Sequence, residues 1–140
     1  MKITRRTDYA IHLIADLSDH NGSCLGLRTL AANHGVTYAF ARTVQQGLLK
    51  AGIIKAARGI NGGIKLAKPL DKITLLEVFE SAQNPLDVTF DTSESTWCNC
   101  EQNSCICEDL WKSAQTIMRD HLSKITLQSL LDSRTQGENN

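Results

Sequence analysis

Apolar residues recur along this chain at helical spacing, in bursts that glycines interrupt. Ile11, Ile14 and Leu17 form one stripe and Asn21-Gly22 ends it, which predicts a helix from Thr7 to about Asp19. Leu27, Leu30 and Ala31 predict a short second helix to about His34, broken by Gly35. Thr37 is a suitable N-cap for a third, Tyr38 to Lys50, with Phe40, Val44 and Leu48 inward and Gly52 as its stop. The pattern then shortens. Ile53–Ala57 and Gly63–Leu66 flank Arg58-Gly59-Ile60-Asn61-Gly62, which reads as a β-hairpin with a glycine-rich tip closed off by Pro69. Thr74 caps a predicted helix over 75–82. Leu110, Trp111, Ala114, Ile117, Met118, His121, Leu122 and Ile125 mark one broad face of a long helix from about Cys107 to Lys124. A short helix is expected over 126–132, and the polar tail from Ser133 is expected to be loose.

Helix, tight turn, helix, hairpin is the order of a winged helix-turn-helix. The expected fold class is mainly α with a small β-hairpin. Residues 1–82 form the winged unit, 83–108 a cysteine-rich loop, 109–132 the long helix with a short terminal helix, and 133–140 a flexible tail. Ala31 and Gly35 stand where small residues would let two helices cross closely, and Gly47 inside the third helix also points to close packing. At 140 residues and 41% hydrophobic content the chain suits one domain with an appendage. No run of 18 apolar residues or apolar leader is present, so a cytoplasmic protein with reduced thiols and no membrane partner is expected.

Charge changes the picture. Residues 1–72 hold 11 Lys+Arg against 4 Asp+Glu, and residues 73–140 hold 4 against 11, so a neutral total hides a basic first half. Such segregation suits a localised polyanion-binding surface. On the third helix Tyr38, Ala39, Arg42 and Gln46 lie opposite the apolar stripe, with Thr37 at its start, and carry donors suited to base edges and phosphates. Arg58 and Asn61 at the hairpin tip suit a narrow minor groove. Lys2, Arg5, Arg6, Arg28, Lys55 and Lys65 are candidate phosphate contacts. The partner expected from these residues is double-stranded DNA. An enzyme is not indicated: Gly59 to Gly63 is a hairpin tip, not a strand-to-helix phosphate loop, and no Ser/His/Asp constellation stands out. His20 and His34, near helix ends, are expected to be solvated.

Four of the five cysteines, Cys98, Cys100, Cys105 and Cys107, fall within ten residues. In a reducing compartment that density points to metal binding or thiol chemistry. From the residues alone an iron–sulfur cluster, zinc and a metal-free thiol–disulfide switch are all open. The acidic loop raises free thiol pKa values, a bound cation reverses that, and a helix starting near Ser104 would favour the Cys107 thiolate. Asp8 and His12 share a face of the first helix as i and i+4 and are candidate further ligands, ahead of Glu108 and His121. Cys24 reads as a lone structural thiol.

Lys2-Ile3-Thr4, Asp8-Tyr9-Ala10, the wing Ala57-Arg58-Gly59-Ile60-Asn61-Gly62-Gly63, Ile73-Thr74-Leu75, Leu110-Trp111 and Ile125-Thr126-Leu127 resemble the winged-helix family of the iron–sulfur cluster regulator and the nitrite-sensitive repressor. The resemblance runs from Lys2 to about Leu131. It implies a homodimeric transcription factor, a dimerisation role for the long helix, and an iron–sulfur cluster, of two-iron or four-iron form, that controls operator binding. It also implies ligands in the loop, with Cys98 and Cys105 at the family's middle and last positions. A non-cysteine ligand would come from the first helix of the partner subunit, at Asp8 or His12. The chain departs from the family pattern in lacking the upstream cysteine and in carrying Cys100 and Cys107 in addition. Two other functions stay open: a regulator switched by metal-free thiols, and a cluster carrier without specific DNA binding.

Overall fold

Leu13, Ile14, Leu30, Ala41, Leu48 and Ile53 show no exposed surface, and around them the first three helices and the hairpin close a single core. The computed structural model describes residues 3–83, 85–86 and 106–137. Cys98, Cys100, Cys105 and Lys2, singled out above, lie outside these described residues.

Helix α1 (Arg5–Asp19) buries Tyr9, Ala10, Leu13, Ile14 and Leu17, so the inner stripe runs through 10, 13, 14 and 17 and Ile11 sits at its rim. The helix begins two residues before the expected Thr7. A distant side chain fixes this start: the Gln83 carboxamide oxygen accepts from Thr4 N (3.1 Å), Thr4 Oγ1 (3.0 Å) and Thr7 Oγ1 (2.6 Å).

Helix α2 (Leu27–Asn33) ends at His34, and Gly35 takes φ +61° while Val36 N returns to Ala31 O at 3.1 Å. A Cβ at Gly35 would meet nothing within 4 Å, so this glycine serves the left-handed turn and not the close helix crossing expected of it. Helix α3 (Tyr38–Lys50) is capped by Thr37, whose hydroxyl accepts from Phe40 N at 3.2 Å. The close approach occurs at Gly47, where a Cβ would fall 2.1 Å from the Ser81 carbonyl oxygen.

Strands β1 (Ile54–Ala57) and β2 (Gly63–Leu66) pair antiparallel, from Ile54 opposite Leu66 to Ala57 opposite Gly63. Leu25, just before α2, adds a bridge to Ile64 through two 2.9 Å backbone bonds and anchors the wing to the helix-turn-helix. A Cβ at Gly63, which has φ +141°, would lie 2.4 Å from Leu25 O, so that junction admits only glycine without rearrangement.

A single 3₁₀ turn (Leu70–Lys72) leads to α4 (Leu75–Ala82), where Thr74 and Glu77 form a reciprocal capping box. Burial alone would raise the Glu77 carboxyl pKa, but hydrogen bonds from Lys68 Nζ (2.8 Å) and Thr74 N (3.0 Å) outweigh it and hold the pKa below the ordinary value. A depressed carboxylate contributes stability that is present above its unfolded pKa and lost as pH falls through the folded one. Urea unfolding of wild type and Glu77→Gln is therefore expected to differ most at neutral pH, with the gap narrowing as pH drops below about 4.5.

Helix α5 (Ile106–Lys124) and helix α6 (Leu127–Gly137) are the last two elements among the described residues. Their junction is pinned to the base of α4: Leu75 N donates to Ile125 O (2.8 Å) and Leu127 N to Ile73 O (2.9 Å), and Arg119 pairs with Glu80. The terminal helix is longer than expected. Ser133 to Gly137 are helical, not a loose tail, because buried Leu127 and half-buried Leu130 anchor the first turn. Once that turn is fixed, each further residue adds a hydrogen bond.

Candidate nucleic-acid interface and thiol region

Burial of Ala41, Val44 and Leu48 fixes the rotation of α3 and leaves Tyr38, Ala39, Arg42 and Gln46 exposed on its outer side. Thr37 is exposed as well, with its hydroxyl already engaged as the cap. Arg28, in the first turn of α2, does not stand free: its guanidinium carbon lies 4.6 Å from the Tyr38 ring centroid. That cation–π contact braces the start of α3 from the preceding helix and keeps a positive charge beside it.

The wing adjoins this face. A groove of about 300 Å³ runs between Tyr38, Arg42 and Gln46 of α3 and Gly63-Ile64 of β2. At the tip Gly59 takes φ +109° and its carbonyl accepts from Gly62 N at 2.9 Å, so Arg58 and Asn61 are carried, exposed, on a closed turn. Lys55 and Lys65 face one another across the strands, and Arg5 and Arg6 are exposed in the first turn of α1.

On the thiol side, Cys107 is exposed in the first turn of α5, and Cys24 is half-buried. Asp8 and His12 are neighbours on α1, with His12 Nε2 3.9 Å from Asp8 Oδ2 and both side chains open to solvent. They edge a cavity of about 390 Å³ that Arg5, Tyr9, His34 and Phe40 also line. Tyr9 is held above its ordinary pKa by burial and then by the Asp16 charge. Of the lesser candidates, Glu108 pairs with Lys112 at 2.6 Å, and His121 is exposed near the end of α5. No group of three or more His, Cys, Asp or Glu forms a metal-binding cluster among the described residues.

One expectation is corrected here. His34 is not simply solvated: its Nε2 lies 2.8 Å from Asp16 Oδ2, and its ring stands 5.2 Å from that of His12. The turn after α2 brings His34 back over α1, a contact that sequence separation conceals. His20 is exposed, with Nδ1 2.8 Å from Asp16 O. The Arg28–Tyr38 contact and the Gln83 cap also escaped sequence reasoning, since each joins residues on different elements.

Comparison with known proteins places these features in context. The sequence profile of the Rrf2 family, described as an iron-dependent transcriptional regulator, matches residues 3–133. A protein of Neisseria meningitidis serogroup A named "Putative HTH-type transcriptional regulator" is 25% identical over 140 residues, covering 99% of this chain and 93% of that protein. The HTH-type transcriptional regulator IscR of Vibrio vulnificus is 25% identical over 133 residues, covering 94% and 77%. The structure of CymR, the global cysteine regulator of B. subtilis, superimposes with a TM-score of 0.75 at 19% identity, covering 95% of this chain and 98% of that one. Among the described residues no helix is long and apolar enough to cross a membrane. The chain belongs to the Rrf2 family of winged-helix transcriptional regulators.

Proposed function

We propose that this regulator binds a palindromic DNA operator as a homodimer, acts as a cytoplasmic repressor, and is controlled through an iron–sulfur cluster held by the cysteine loop. The observation that carries the DNA part is the outer face of α3: its exposed planar and cationic side chains adjoin a glycine-built wing bearing Arg58. Homodimerisation is supported by α5, where Leu110 and Ile117 are 56% and 67% exposed on the helix that also carries half-exposed Trp111. Large apolar side chains left exposed on one helix suit burial against a second copy.

The donor set fits a thiolate-bound cluster. Cys98, Cys100, Cys105 and Cys107 supply soft ligands, and Cys107 stands exposed in the first turn of α5. Asp8 or His12 of the partner subunit would add a ligand, both being open to solvent on one face of α1. When bound, the cluster supplies redox- and ligand-sensitive iron chemistry. The protein's own part is to tie the loop to the DNA-reading helices and so bias one of two arrangements.

The test is anaerobic purification with iron and sulfide counts, followed by operator affinity of holo and apo protein at one fixed salt concentration. Matched iron and sulfide with an affinity difference of about tenfold or more is expected. Equal affinities would remove cluster-coupled control. Cys100 and Cys107, extra to the family pattern, favour a thiol–disulfide switch as the second reading, which predicts a metal-free protein whose affinity follows thiol oxidation. A cluster carrier would instead transfer its cluster and show no sequence preference.

A further inference from the structure

Ile60 is the most exposed large apolar side chain among the described residues, at 105% of its reference surface. It stands between Arg58 and Asn61 in a turn that the Gly62 N–H to Gly59 carbonyl bond closes at 2.9 Å. The turn is also sterically fixed, since a Cβ at Gly62 would lie 2.6 Å from Ala57 O and 2.8 Å from Gly59 O. Tight turns favour Gly, Asn, Asp, Ser and Pro, and a β-branched residue gains nothing there from local geometry. The core does not use Ile60 either.

We propose that Ile60 is an apolar DNA contact: the wing tip enters the minor groove, where Arg58 meets the groove's negative potential and Ile60 presses against the sugars and an adjoining base step. The inference rests on the DNA-binding reading above and assigns the wing a second kind of chemistry. Apolar side chains inserted at the minor groove partly unstack a base step, and flexible pyrimidine–purine steps yield most readily. Ile60 thereby becomes a specificity residue that makes no hydrogen bond. The occupant is duplex DNA because the hairpin is basic, through Lys55, Arg58 and Lys65, and borders the outer face of α3.

The experiment starts from a random duplex pool, from which the full-length protein enriches its preferred site. Ile60→Ala is expected to bind that site about tenfold more weakly with an unchanged salt dependence, because no phosphate contact is lost. Selection with Ile60→Ala should lose the preference at the step beneath the wing and keep the rest of the motif. Ile60→Leu should recover most of the affinity, and Arg58→Ala should instead flatten the salt slope by about one unit. Because Ile60 lies outside the core, neither variant should change thermal unfolding. Wild-type affinity in Ile60→Ala, or a loss carried entirely by a changed salt slope, would overturn the assignment. If the wild-type protein enriches no sequence, the DNA reading itself fails and takes this inference with it, a result distinct from either of those.

Discussion

Gly47→Ala is expected to destabilise the fold by about 2 kcal/mol, even though alanine is intrinsically the better helix former by about 1 kcal/mol. The added Cβ would sit 2.1 Å from the carbonyl oxygen of Ser81 and 3.2 Å from its carbon. Both are backbone atoms in the last turn of α4, so no flexible side chain can swing aside. α3 and α4 must separate, and the buried contacts of Val44, Leu48 and Val78 loosen with them. Urea unfolding followed by circular dichroism would read the effect as a lower midpoint. Gly137→Ala is the control: among the described residues nothing beyond its own helix lies within 4 Å of the added Cβ, and its effect should stay within about 0.5 kcal/mol of zero. Equal midpoints for the two variants would show that α3 and α4 do not meet as described.

Arg42→Ala should weaken binding to the selected operator by about 1–3 kcal/mol, or roughly 5- to 150-fold, and relax the preference for one base pair in each half-site. The side chain is exposed at the centre of the outer face of α3, and its planar guanidinium can meet two acceptors on one guanine. Arg58→Ala should act differently, lowering affinity across many sequences and reducing the salt dependence. Fluorescence anisotropy at several salt concentrations, with operator and scrambled duplexes, separates the two outcomes. Were both variants to match wild type, the winged face would not be the DNA contact surface, and the carrier reading would gain ground.

Features that depend on local chemistry were legible in the sequence. The Thr37 and Thr74 caps, the hairpin around Gly59–Gly63 and the tight turn at Gly35 between α2 and α3 follow from propensity and turn rules. The expectation of close packing at Gly47 also held. Features that depend on which elements meet were not legible. Gly35 looked like a crossing point, yet its role is a left-handed turn, and nothing in the sequence separates those two uses of glycine. His34 looked solvated because Asp16 is 18 positions away. The length of α6 was underestimated, since Ser133 to Gly137 are polar and only their continuity with anchored Leu127 and Leu130 makes them helical. For the candidate site, the outward face of α3 was readable from a 100° periodicity. The bracing of Tyr38 by Arg28 was not, because it joins two helices. Cys98, Cys100 and Cys105 fall outside the described residues, so their arrangement rests on sequence alone.

Gln83 follows directly on α4, and its single side-chain oxygen gathers three hydrogen bonds from Thr4 and Thr7 at the start of α1. Two residues earlier, the Ser81 carbonyl is wedged against α3 at Gly47. Three helices thus share one anchor, placed where the loop leaves the winged unit. In mechanical terms, a pull on the chain at residue 83 is expected to reach the start of α1 through the Gln83 side chain and the middle of α3 through the Ser81–Gly47 contact together.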